Sequence, residues 1–282
     1  MIFSMSRWLF NRPNRRLAVV VLLVLSARID ISHYSEPTLP CQNATGQIVL
    51  TSITSAIYSH PVPVNVYLPP CYDANGSSTY PALYLLHGGG ADQTQWPDLN
   101  LQVAANELIS QTHFPFVIVM PGAEYSNAVD YTGFILHDML PAVEAQFHLQ
   151  SFRAGRGIGG LSLGGYIALQ VSFLHPDLFA MVGGYSPVVN RGTPDDPLLL
   201  IRQLTPLMQS QLQSLRIDLD VGGADSLVYD TQLLADALRR QGLVVTLTIE
   251  PGGSHQRSYW RTRTYDYLSF FLEAIRSCPN CF

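Results

Sequence analysis

The chain has 282 residues, which is enough for one large α/β domain or two small ones. With 47% of its residues apolar and 13% charged, it can build a substantial core, and this composition speaks against a disordered chain. Its net charge of −5 speaks against a nucleic-acid-binding protein, which needs a basic surface. All 16 basic residues are arginines, which excludes a Schiff-base lysine, a serine–lysine dyad and a Walker-type phosphate loop.

The first 27 residues have the pattern of a secretory signal peptide. Arginines at positions 7, 12, 15 and 16 precede an apolar run at 17–25, and Ser26-Ala27 offers small residues for cleavage. The run is shorter than the roughly 20 residues that cross a membrane. We therefore expect a secreted or periplasmic protein, and the alternative is a protein anchored in the membrane by this segment.

A polar, proline-bearing lead-in at 28–46 precedes the first predicted strands. Alternating apolar and polar residues predict half-exposed strands at 47–55 and 62–68. Apolar runs typical of strands buried in a parallel sheet lie at 82–86 and 116–120. Further strand-like runs lie at 156–159, 218–221 and 244–249. Helical patterns fall between them at 101–111, 136–147, 165–175, 229–241 and 260–275.

This alternation predicts an α/β fold over residues 47–276, with a doubly wound, mostly parallel sheet and helices on both faces. Residues 187–215 are too few for a large cap domain, and 277–282 form a cysteine-containing tail. Ligands of such sheets bind beyond the carboxyl ends of the strands. The turns at 87–90, 160–164, 222–225 and 252–255 are therefore the candidate site.

The sequence Gly160-Leu-Ser-Leu-Gly164 fits the G-x-S-x-G pattern of a nucleophile elbow. A sharp strand-to-helix turn of this kind lifts the serine hydroxyl above the sheet and forces Ser162 towards a positive φ. The two glycines have no Cβ, so the strand and the helix can approach closely.

A serine hydroxyl needs a base to accept its proton, and the base needs an acid to orient it. Ser162, Asp225 and His255 follow strand-like runs in the order serine, acid, histidine that an α/β hydrolase requires. The oxyanion needs two backbone N–H donors, and we expect them from Leu163 and, in a His-Gly-Gly-Gly loop, from Gly89. No metal or organic cofactor is expected.

At several motifs the chain resembles the putative esterase family of α/β hydrolases, which includes esterase D, feruloyl esterases and the antigen 85 mycolyltransferases. The motifs span roughly residues 48–275, and they are residues 80–90, 160–165, 175–179 and 252–255 with Trp260. The resemblance implies a serine carboxylesterase with Ser162, Asp225 and His255 as its triad. The family usually has methionine where this chain has Leu163, a change that leaves the backbone amide in place.

The predicted reaction is hydrolysis of a carboxylic ester through an acyl-enzyme intermediate. The expected partner is a small-molecule or carbohydrate-linked ester, and no nucleic acid. One alternative is acyl transfer to a sugar or lipid, and another is a non-catalytic envelope binding protein on the same fold. Aromatic residues on loops are candidates to line a substrate pocket, with core packing as the competing interpretation: Trp96, Tyr125, Tyr131 and Trp260.

Four cysteines in an exported chain predict two disulfides, for which three pairings exist. We favour Cys41–Cys71 and Cys278–Cys281, because Cys41 precedes the first predicted strand and Cys71 follows the second. A zinc site is the competing interpretation of the same residues.

Overall fold

The protein is described here from a computed structural model that covers residues 45–124, 128–190, 192, 196–202 and 205–277. The predicted signal segment, nearly all of the lead-in, Tyr125 and three of the four cysteines lie outside the described residues. Both predicted disulfide pairings therefore stay predictions.

Within the residues that the structure describes, eight strands form one sheet in the order β1-β2-β4-β3-β5-β6-β7-β8. Their bounds are Gln47–Ile53, Val62–Leu68, Ala82–Leu86, Val117–Pro121, Arg156–Leu161, Met181–Tyr185, Arg216–Gly222 and Val244–Glu250, for β1 to β8. β2 runs antiparallel to both β1 and β4, and the six strands β3 to β8 are parallel to one another. The predicted mostly parallel sheet is confirmed.

Helices cover both faces of the sheet. They are α1 Leu101–Thr112, α2 Ala128–Gly133, α3 Leu140–Gln146, α4 Leu163–Leu174, α5 Pro197–Arg202, α6 Pro206–Gln213, α7 Val228–Arg240 and α8 Arg257–Arg276. α1 and α8 pack in one apolar cluster, whereas the helices from α2 to α7 bury their apolar residues in the cluster on the opposite face. Because both faces are covered, every residue of β3, β4, β5 and β6 is buried.

The helix predicted at 136–147 begins earlier, at Ala128, and widens into a π-helical segment, Phe134–Met139, before α3. Pro141 lies in the first turn of α3. A proline cannot donate to the helical ladder and crowds the carbonyl four residues before it, and a π-helical turn accommodates both effects.

The carboxyl ends of the parallel strands lie on one side of the sheet, and the candidate turns follow them there. β3 ends before His87, β5 before Ser162, and β7 and β8 before the turns of Asp225 and His255. Across the described part of the chain, none of the helices is long and apolar enough to cross a membrane.

Candidate active site

Ser162 occupies the turn between β5 and α4 with φ 53° and ψ −112°. Its N–H donates to the carbonyl of Tyr185 at 2.8 Å, and its own carbonyl accepts from the N–H of Tyr166 at 3.1 Å and of Val188 at 3.2 Å. These backbone bonds hold a non-glycine residue at a positive φ, as predicted for the elbow.

The glycines of the elbow are needed because backbone segments cross there without room for a side chain. A Cβ atom on Gly160 would overlap the backbone of Gly164, and one on Gly164 would overlap the carbonyl oxygen of His87. The elbow can therefore form only when both positions lack a Cβ.

The structure brings the three predicted side chains together. Nε2 of His255 lies 3.0 Å from Oγ of Ser162, and Nδ1 of His255 lies 2.9 Å from Oδ2 of Asp225. The Asp225 side chain is fully buried, whereas 35% of the His255 side chain is exposed. A hydroxyl, an imidazole and a buried carboxylate in this order can pass the serine proton to the imidazole and stabilise the imidazolium that forms.

The turn of Asp225 and the turn of His255 are joined backbone to backbone. The N–H of Ala224 donates to the carbonyl of Gly253 at 2.8 Å, and a Cβ atom on Gly222 would overlap the Gly253 carbonyl. Within its own turn, Oδ1 of Asp225 accepts from the N–H of Leu227 at 2.9 Å. This bond leaves Oδ2 of Asp225 facing the imidazole.

The glycine loop at 87–90 lies beside Ser162 and Leu163. A Cβ atom on Gly88 would lie 3.6 Å from Cβ of Ser162, and one on Gly89 would lie 3.6 Å from Cδ2 of Leu163. The N–H of Gly88 donates to Oε1 of Gln95 at 2.7 Å, so it is already engaged. Leu163 is the first residue of α4, where N–H groups have no partner within the helix and favour negative charge.

The side chains of Gln95 and His87 bind the backbone of the glycine loop at 87–90. Both are buried, and the ring nitrogens of His87 contact the carbonyl oxygens of Gly88 at 2.8 Å and Ala123 at 3.0 Å. Burial lowers the pKa of His87, although these two carbonyls oppose the shift. Sequence reasoning missed Gln95, because a lone glutamine beside a glycine loop belongs to no motif.

Two of the predicted pocket aromatics are core residues. Trp96 is 1% exposed and donates from its indole N–H to the carbonyl of Leu86, and Tyr131 is fully buried beside Phe134. As they stand, neither side chain can touch a substrate, which corrects the expectation for both. Trp260 is 6% exposed and packs behind His255, and Tyr125 lies outside the described residues.

Ser162 and the imidazole of His255 are both partly exposed. Two surface cavities, of about 260 and 230 Å³, lie elsewhere and are lined by none of Ser162, Asp225 and His255. Where the structure describes the chain, no group of three or more histidine, cysteine, aspartate or glutamate side chains is arranged to hold a metal ion.

Comparisons of sequence agree with this geometry. The family model described as "Putative esterase" matches residues 55–269. Esterase Rv1288 of Mycobacterium tuberculosis is 35% identical over 144 residues, which are 47% of this chain and 30% of that protein. An endo-1,4-beta-xylanase/feruloyl esterase of Xylanibacter ruminicola is 26% identical over 144 residues, 46% of this chain and 19% of that protein. The chain thus matches less than a third of the length of these curated relatives.

Comparisons of structure agree as well. A ferulic acid esterase superposes with a TM-score of 0.75 at 22% identity, covering 83% of this chain and 99% of that one. An S-formylglutathione hydrolase of Staphylococcus aureus superposes with a TM-score of 0.69 at 19% identity, covering 83% and 99%. Together with the sheet order, these likenesses show an α/β-hydrolase fold.

Proposed function

The chain belongs to the putative esterase family, and from that premise we propose that it hydrolyses a carboxylic ester through an acyl-enzyme intermediate on Ser162. One observation carries the proposal: Oγ of Ser162, Nε2 of His255, Nδ1 of His255 and Oδ2 of Asp225 form a continuous chain of contacts at 3.0 and 2.9 Å. The same order of groups activates serine in unrelated hydrolases.

In the first half of the reaction Oγ of Ser162 attacks the acyl carbon while Nε2 of His255 takes the serine proton. Asp225 holds the neutral imidazole in the tautomer that presents an unprotonated Nε2, and it stabilises the imidazolium afterwards. The tetrahedral intermediate then collapses, the bond between the acyl carbon and the alcohol oxygen breaks, and the imidazolium gives its proton to the leaving alcohol.

In the second half water replaces the alcohol. His255 takes a proton from the water, and the hydroxide oxygen adds to the acyl carbon. As this intermediate collapses, the bond between the acyl carbon and Oγ of Ser162 breaks, the acid is released and the imidazolium returns its proton to Oγ. In both halves the N–H groups of Gly89 and Leu163 donate to the oxyanion. The loss of one such donor typically costs about 10²–10³-fold in rate.

The proposed substrate is a small-molecule or carbohydrate-linked ester. The partial exposure of Ser162, with 35% of the His255 side chain exposed, supports access of an ester from solvent. Relatives named feruloyl esterases make an aromatic acyl group the first class to test.

We also propose that the protein is exported and carries the disulfides Cys41–Cys71 and Cys278–Cys281. The arginines, the apolar run and the small residues of positions 1–27 support export. An oxidising compartment would in turn support disulfide formation.

A direct test is hydrolysis of p-nitrophenyl acetate and of methyl ferulate by the purified protein, its Ser162→Ala variant and a Ser172→Ala control. Ser172 lies on the same helix and is fully buried, and its hydroxyl has no hydrogen-bond partner among the described residues, so its loss should leave activity intact. We expect activity in the wild type and the control and none in Ser162→Ala. Retained activity in Ser162→Ala would remove the serine from the mechanism.

Product analysis with an added alcohol separates hydrolysis from acyl transfer. Free acid as the main product supports hydrolysis, whereas an ester of the added alcohol that forms in preference to the acid would assign the chain to the transferases. A folded wild type that is inactive on every ester and unlabelled by a fluorophosphonate would favour a binding protein.

A further inference from the structure

Trp260 lies against the imidazole of His255 and is not part of an exposed pocket wall. The indole and imidazole rings meet edge to face, with centroids 5.0 Å apart and planes at 83°. His255 lies on the turn between β8 and α8, and both of its ring nitrogens must be aimed at once. A neighbouring ring that limits rotation of the imidazole therefore bears on the chemistry.

The indole is itself held by a hydrogen bond. Its Nε1–H donates to Oγ of Ser186 at 3.1 Å, and both side chains are buried. Indole has one donor and no acceptor, so Oγ of Ser186 meets the whole hydrogen-bonding need of this side chain. Without that acceptor, Trp260 would keep a buried N–H without a partner or turn away from its present place.

Ser186 is fixed in turn by the sheet. It follows β6 directly and has a φ of 47°, and its N–H donates to the backbone carbonyl of Asp220 at 2.6 Å. A non-glycine residue persists in this region only where its surroundings determine it. The backbone of Ser186 is thus held by β6 and β7, the second of which leads into the turn of Asp225.

The helix that carries Trp260, α8, is bound to β7 through the side chain of Asp220. The buried carboxylate of Asp220 accepts from the hydroxyls of Tyr259 at 2.5 Å and Tyr267 at 2.8 Å, and from Nε of Arg263 at 3.0 Å. All three donors lie on α8 and one is the direct neighbour of Trp260. The backbone of Trp260 is held by these contacts and its indole by Ser186.

We propose that Ser186 and Trp260 form a positioning pair that holds the imidazole of His255 between Ser162 and Asp225. The inference rests on the proposed function, because it assigns a role relative to the proposed triad. Trp260 contacts the imidazole ring edge to face, and Ser186 contacts Trp260. Their effect is exerted on the orientation of His255.

The test compares Ser186→Ala with Thr264→Val. Thr264 is buried on α8, the helix of Trp260, and its hydroxyl donates to the backbone carbonyl of Trp260 at 3.0 Å. The control therefore removes a buried hydroxyl beside Trp260 and leaves the hydrogen bond between the indole and Ser186 in place. Both variants should lose thermal stability. Ser186→Ala alone should lower kcat and the rate of fluorophosphonate labelling, by about 10- to 100-fold, with KM unchanged, because a small misplacement of a catalytic group has effects of this size.

A double variant shows whether Ser186 acts through the indole. Trp260→Phe keeps an aromatic ring and removes the N–H, so Ser186→Ala should add nothing to the loss in Trp260→Phe if the two act as a pair. Losses that multiply, or equal kcat values in Ser186→Ala and Thr264→Val, would overturn the proposal. If Ser186→Ala does not fold, kcat of Trp260→Phe is compared with kcat of Thr264→Val instead. Equal values would again overturn the proposal.

The outcome is distinguishable from failure of the proposed function. An active Ser162→Ala variant would refute the serine mechanism itself. An inactive Ser162→Ala variant beside a fully active Ser186→Ala variant would refute the positioning pair alone.

Discussion

Asp225 and His255 lie on turns that follow two neighbouring strands, β7 and β8, and Oδ2 of the acid is 2.9 Å from Nδ1 of the imidazole. The acid is buried and the imidazole is partly exposed. A carboxylate shielded from water acts more strongly on the imidazole than an exposed one, because the local dielectric constant is low.

Replacement of Asp225 by Asn should lower kcat without unfolding the protein. The amide keeps the shape of the carboxylate but cannot stabilise the imidazolium, and it favours the wrong tautomer of His255, a change that typically costs roughly 10⁴-fold in kcat. Steady-state kinetics on a p-nitrophenyl ester measures the effect. The control is Asp236→Asn, whose side chain on α7 is 56% exposed. Equal kcat values in the two variants would remove Asp225 from the proposed triad.

Gly160→Ala should destabilise the protein and abolish activity together. The new methyl group would overlap the backbone of Gly164, and overpacking of this kind costs about 1–3 kcal/mol or more. Gly223→Ala is the matched control, because a Cβ there would come no nearer than 3.4 Å to the carbonyl oxygen of Glu250. Urea unfolding and esterase assays check both variants. A Gly160→Ala protein as stable and active as the control would show that the elbow tolerates a side chain.

Asp218 should make the protein less stable as the pH rises from about 4 to 7. Burial is the main cause that raises the pKa of Asp218 from 3.8 to about 7; Asp220 and Asp266 add to the shift and Arg263 opposes it. Between these two values the folded protein holds a proton that the unfolded chain has lost, so the free energy of unfolding falls with rising pH.

The variant Asp218→Asn lacks this ionisation. It should be more stable than the wild type by roughly 2–4 kcal/mol at pH 8, and the difference should shrink towards pH 4. Urea unfolding at several pH values measures the free energy of unfolding of both proteins. A difference that stays constant across the range would contradict the shifted pKa.

Most strand positions were predictable, because a buried strand appears in the sequence as a continuous apolar run and a half-buried one as alternating apolar and polar residues. The runs at 82–86 and 62–68 match β3 and β2 residue for residue. β6 was missed, since the glycines at positions 183 and 184 interrupt its apolar pattern, and both lie against the neighbouring aromatic or aliphatic side chains of the packed sheet. Such a strand is recognisable only from its neighbours.

The candidate site was predictable in its residue types but not in its surroundings. Chain order and the positions after strands indicated Ser162, Asp225 and His255, because the topology of a parallel sheet gathers such turns at one edge. Burial of Trp96, by contrast, depends on a hydrogen bond to Leu86 and on rings from distant elements, and no local pattern records these contacts.

Labelling with a fluorophosphonate, followed by mass spectrometry of the labelled peptide, tests whether Ser162 is an activated nucleophile. The reagent reacts with an activated serine whatever the natural substrate is. We expect one label, on Ser162, which is absent from Ser162→Ala and present in Ser172→Ala. A label on another residue, or an esterase-active protein that takes no label, would contradict it.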